Sequence, residues 1–74
     1  MNPRKAKNLL VGELQRLNIP YIRLTARTIS FMDLLRKSDV FVKIHGWRPN
    51  PIMKELKVFS HENGFCIETD WMFS

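Results

Sequence analysis

A chain of 74 residues with 45% hydrophobic and 11% aromatic content is too apolar to be disordered and too short for two domains, so one domain over residues 1–74 with a small core is expected. No apolar run approaches the roughly 18 residues of a spanning helix, no signal-peptide core is present, and the lone Cys66 has no disulfide partner, which sets the expectation of no membrane and a reducing, cytoplasmic compartment. The net charge of +5 is lopsided, with ten Lys/Arg against three acids over residues 1–48 and two against four over residues 49–74; that suits a polyanion such as nucleic acid as readily as it serves solubility.

Asn2-Pro3 reads as a helix cap followed by proline at the first helical position. Ala6, Leu9, Leu10, Leu14 and Leu17 then recur at helical spacing, with Arg4, Lys7, Glu13 and Arg16 mostly outside, and Asn18 and Pro20 end the element, so a helix is expected over residues 3–17. Residues 21–29 read as a strand. Ile22, Leu24 and Ala26 form its apolar side and Arg23, Thr25 and Arg27 its polar side, where two guanidinium groups either grip phosphates or meet solvent. Residues 30–37 fit a short helix with a Ser30-x-x-Asp33 cap or a strand over 33–36, and the resemblance described below favours the strand.

Residues 40–45 alternate most clearly: Val40, Val42 and Ile44 on one side, Phe41, Lys43 and His45 on the other. Phe41 on the polar side points to a partly covered face and hence a central strand. Gly46 permits a turn, Asn50-Pro51 repeats the cap-plus-proline signal, and Ile52, Met53, Leu56 and Phe59 form the stripe of a helix to about residue 62. Asn63-Gly64 is its stop, and residues 65–71 are the last strand, with Phe65, Ile67, Thr69 and Trp71 on one face. Strand, helix and strand over residues 40–71 make a βαβ unit with parallel strands. The expected class is α/β, with α+β as the alternative: a mixed sheet of three to four strands, an N-terminal helix and a βαβ unit.

The chemistry-bearing candidates are Glu13, Asp33, Lys43, His45, His61, Cys66, Glu68 and Asp70. One cysteine and two histidines 16 positions apart give no zinc spacing, and no phosphate-binding or dinucleotide-binding glycine motif occurs, so no metal and no cofactor are expected. Cys66, on an apolar strand, reads as packing, and His61 as a complement to its helix dipole.

Asp33 followed after nine residues by Lys43-Ile44-His45 at a strand end, then a turn and a helix, resembles the core of the PD-(D/E)XK nucleases. The likeness is to the compact virus-type replication-repair (VRR-NUC) kind. That family has an N-terminal helix, an Asp opening a short strand, a strand ending in Glu-x-Lys, a helix, and a final strand after Gly. The parallel runs through MDLL, VFVKIHG and PNPIMKELKVFSHENGF. In such a nuclease the Asp and Glu hold a divalent cation and the Lys assists the nucleophile. Here only Asp33 falls on a matching acid; Lys43 stands at the Glu position and His45 at the Lys position, while Asn8 and Glu13 compete for a helix position where the family often has Glu. An ammonium at a metal-binding carboxylate position repels the ion, so the resemblance implies a degenerate, non-cleaving site. It also implies that Asp33 and Lys43 form an ion pair where the metal would sit.

Two functions follow as expectations, with residual nuclease activity as a third, lesser one. One is a nucleic-acid-binding module on a nuclease-like scaffold, with Arg23, Arg27, Lys43 and Arg48 on phosphates, Arg4, Lys5 and Lys7 as steering charge, and Trp47 stacking on a base or else covering the sheet edge. The other is a small interaction protein, such as a phage-encoded inhibitor that docks on a host enzyme without touching nucleic acid. The aromatic end DWMFS fits an interface, a finishing strand or a self-associating homo-oligomer.

Overall fold

A computed structural model describes residues 2–28, 39–47 and 52–69. Helix α1 (Pro3–Arg16) leads to strand β1 (Arg23–Thr28), followed by β2 (Val40–His45), helix α2 (Met53–Glu62) and β3 (Cys66–Thr69). The three strands form one mixed sheet in the order β1-β2-β3, antiparallel between β1 and β2 and parallel between β2 and β3. The mixed α/β class, the central position of β2 and the parallel βαβ unit are therefore as the residue pattern predicts. Residues 30–37, with both readings of them, lie outside the described residues, as do Asn50-Pro51 and Trp71.

Both ends of α1 and the C-terminal end of α2 are bounded by chemistry visible in the sequence. The Asn2 side-chain oxygen accepts the Lys5 backbone N–H at 2.7 Å and Pro3 occupies the first turn, where its missing donor has no cost. At the other end Asn18 takes a left-handed φ of 57°, its N–H donates to the Gln15 carbonyl, and the Ile19 N–H donates to the Leu14 carbonyl. Helix α2 closes the same way: Gly64 has a φ of 83°, its N–H donates to the His61 carbonyl and the Phe65 N–H to the Ser60 carbonyl. Both are Schellman endings, and in both the next residue, Ile19 or Phe65, is apolar and buried. At its start α2 has Ile52 in the cap position with no side-chain capping bond.

The buried stripe of α1 (Ala6, Leu10, Leu14) and Leu56 of α2 belong to one core with Leu24, Val40, Val42 and Ile44, so both helices cover the same face of the sheet. Helix α1 packs on β1 and β2, and α2 on β3. Ser60 is the one buried polar residue among those described, and its hydroxyl donates to the Lys57 carbonyl at 2.9 Å. It therefore carries no unsatisfied donor into the core.

Two expectations need correction. Ile22 does not continue the apolar side of β1; it precedes the strand and is 77% exposed. Its N–H donates to the His45 carbonyl at 2.8 Å while Arg23 is paired with the same His45, so two residues face one, as in a β-bulge, and the alternation slips by a position. The Ile22 side chain instead lies against Gly46, whose φ of 76° favours glycine; a Cβ there would also have to push the exposed Ile22 side chain aside. Of the two readings of Trp47, stacking on a base is the one that its burial disfavours, while a covering role agrees with it. The residue is 5% exposed and part of the core, so its indole is occupied by packing and offers no stacking surface to a base.

Candidate functional site

The face of the sheet turned away from the helices collects the polar side chains. The β1–β2 register pairs Arg23 with His45, Thr25 with Lys43 and Arg27 with Phe41; the β2–β3 register pairs Phe41 with Cys66 and Lys43 with Glu68. Because side chains alternate across a strand, these eight residues share one surface while Leu24, Val42, Ile44 and Ile67 point to the core. Of the residues expected to contact nucleic acid, Arg23, Arg27 and Lys43 come together here with His45; Arg48 lies outside the described residues, and Trp47 is withdrawn into the core. Arg4, Lys5 and Lys7 are exposed on α1, on the other side of the sheet.

Two hydrogen-bonded sets divide this surface. Toward one end, Arg27 lies over the Phe41 ring, its guanidinium carbon 5.4 Å from the centroid, and its Nη2 donates to both Glu68 carboxylate oxygens at 2.7 and 2.9 Å. Phe41 beneath is only 2% exposed, so the ring forms a small apolar floor on an otherwise polar face. Toward the other end, Arg23 Nη1 donates to Thr25 Oγ1 at 3.2 Å, and Thr25 Oγ1 is hydrogen-bonded to His45 Nε2 at 3.0 Å. Lys43, half-buried, stands directly opposite Thr25 on one side and Glu68 on the other, and its ammonium makes no hydrogen bond or ion pair with any described residue. The two ends differ in charge: Glu68 is ion-paired with Arg27, whereas neither Arg23 nor Lys43 has an ion pair with a carboxylate among the described residues, although Glu68 is the cross-strand neighbour of Lys43.

Asp33 is outside the described residues, so the expected Asp33–Lys43 pair is not part of this description. Among the described residues no group of three His, Cys, Asp or Glu is placed to hold a metal ion. Cys66 is partly buried on the same face beside Phe41. Elsewhere, Arg16 donates to both Glu13 oxygens at 2.7 and 3.0 Å on the outside of α1. This hydrogen bond, with a smaller contribution from the arginine charge, holds the Glu13 carboxyl below its ordinary range against the opposing effect of partial burial.

The sequence did not flag the Arg27–Glu68 pair. The partners are 41 positions apart on strands that do not touch, and only the register across β2 makes them neighbours. Among the described residues no helix is long and apolar enough to cross a membrane. No family model, no curated protein and no solved structure matches this chain.

Proposed function

We propose that this chain is a nucleic-acid-binding module on a nuclease-like scaffold that lacks the catalytic metal ligands. The observation that carries the reading is the β1–β2 register, which sets Arg23, Arg27 and Lys43 on one sheet face with His45. Unbalanced Lys/Arg side chains bind phosphates by releasing condensed counterions, so affinity falls as salt rises. With Arg23 and Lys43 as the two unbalanced cations of the face, the slope of log K against log salt on duplex DNA is about −2. Fluorescence anisotropy with short DNA and RNA from low to moderate salt is the test. Affinity that is absent, or flat across that range, refutes the reading. Lys43→Gln is expected to weaken binding uniformly across sequences and to flatten the slope by about one.

A second reading, a small interaction protein docking on a host or phage protein, draws on one observation: Ile22 is a large apolar side chain exposed beside β1, which has a strand partner on one side only among the described residues. A protein partner that survives nuclease treatment and is lost on Ile22→Asp, with salt-dependent nucleic-acid binding absent, selects this reading over the first.

A further inference from the structure

Three side chains, those of Arg23, Lys43 and His45, surround a single hydroxyl on the β1–β2 half of the face turned away from the helices. Arg23 and His45 both bond Thr25 Oγ1, and Lys43 is its direct cross-strand neighbour. Cross-strand neighbours have Cβ atoms about 5 Å apart, within reach of one common ligand atom. Arg23 and Lys43 lie on a diagonal of the β1–β2 ladder, and Glu68, the carboxylate on this face among the described residues, is engaged through both oxygens by Arg27. Donor capacity remains. A guanidinium has five N–H groups, of which Arg23 uses one on Thr25, and the Lys43 ammonium has three with no described partner.

Charge geometry also limits what fits. A phosphodiester chain running across the sheet from β1 toward β3 would leave the positive half and meet Glu68, which lies opposite Lys43 in the register. The positive area is thus two strands wide and closed on one side by a carboxylate. It suits one anion rather than a track of them. A bridging phosphodiester carries one negative charge, whereas a terminal phosphate monoester carries between one and a half and two near neutral pH (second pKa about 6) and three acceptor oxygens. Two cations on one diagonal, neither ion-paired with a described carboxylate, match the second better.

We propose that Arg23, Thr25 and Lys43, bordered by His45, form a seat for a terminal phosphate monoester, so that the protein binds phosphorylated nucleic-acid ends in preference to internal backbone. The proposal rests on the nucleic-acid reading above. A 5′ and a 3′ end present the same group, and the experiment separates them.

The test measures anisotropy of three labelled single strands of one sequence, carrying a 5′-phosphate, a 3′-phosphate or hydroxyls at both ends, against the full chain and its Lys43→Gln and Thr25→Val variants. One phosphorylated strand is expected to bind about fivefold or more tighter than the hydroxyl strand. The preference should disappear in Lys43→Gln and shrink in Thr25→Val, a near-isosteric change that keeps the strand β-branched. Equal, salt-dependent binding of all three strands overturns the phosphate seat and leaves the broader reading intact. No binding of any strand removes both. Amide and side-chain NMR shifts of the unmodified protein on adding inorganic phosphate supply a readout independent of variant folding; they should centre on Thr25, Lys43 and His45, and their absence also overturns the seat.

Discussion

The two faces of the same three strands are held by different physics. On the helix side, Leu24, Val42 and Ile44 meet Ala6, Leu10, Leu14 and Leu56, and stabilisation scales with the apolar area withdrawn from water. On the other side specific pairings hold the side chains of Arg27, with Phe41 and Glu68, and of Thr25, with Arg23 and His45. Area burial is insensitive to which neighbour supplies the contact; polar pairing is not. The first face therefore tolerates apolar exchange and builds the fold, and the second leaves Lys43 without a described partner for a ligand to find.

The contrast can be broken most forcefully from the helix side. Leu10→Ala or Ile44→Ala, each at a fully buried position, is expected to cost about 2–5 kcal/mol, a large share of what so small a domain has, and to lower the melting temperature steeply. Lys43→Gln should leave the melting temperature nearly unchanged, since no described contact is lost. If Lys43→Gln destabilised the chain as much as Leu10→Ala, the division between the faces would fall.

Phe41 sharpens the comparison, because it is a core-like residue on the polar side. Its 2% exposure predicts a loss of about 3 kcal/mol for Phe41→Ala by denaturant titration. A loss below about 0.5 kcal/mol, the usual size for a surface change, would mean that the open face is solvated throughout. A smaller effect is expected at Glu68. The Arg27–Glu68 pair is largely solvent-accessible on the arginine side, so Glu68→Gln should cost no more than about 1 kcal/mol. The same change unbalances Arg27, and affinity for nucleic acid should rise with a salt slope steeper by about one; weaker binding in this variant would contradict the assigned role of the face.

The smallest effect lies away from the sheet. The depressed Glu13 carboxyl contributes stability at pH values above its unfolded pKa, and that contribution is lost as pH falls through the lowered folded value, below the ordinary 4.5. Arg16→Gln removes the hydrogen bond and the charge, so the Glu13 titration followed by NMR should move back up toward that value; no movement would show the contact to be absent in solution.

How much of this was legible in the sequence depended on range. Helix bounds came from local signals, Asn2-Pro3, Asn18 and Asn63-Gly64, whose consequences are complete within five residues. Strand faces came from alternation, which held for β2 and failed at Ile22, where the two-against-one pairing with His45 shifts the phase without leaving a compositional mark. Trp47 was ambiguous because an aromatic residue at a turn is equally compatible with a ligand platform and a core plug; only three-dimensional burial separates them. The polar face was legible as a set of residues but not as a set of pairs, since Arg27 finds Glu68 rather than Lys43's own cross-strand partner being drawn to Lys43. The expected roles of Asp33 and Arg48 fall on residues outside those described.

The guanidinium bridge has a mechanical consequence. Strands β1 and β3 lie on opposite flanks of β2 and share no backbone ladder, so by ladder alone each flank would unzip on its own. Arg27 reaches over Phe41 to fasten one margin to the other. Amide exchange in the two outer strands is therefore expected to be coupled by up to the same ~1 kcal/mol, and Glu68→Gln should speed exchange at the parallel margin more than at the antiparallel one.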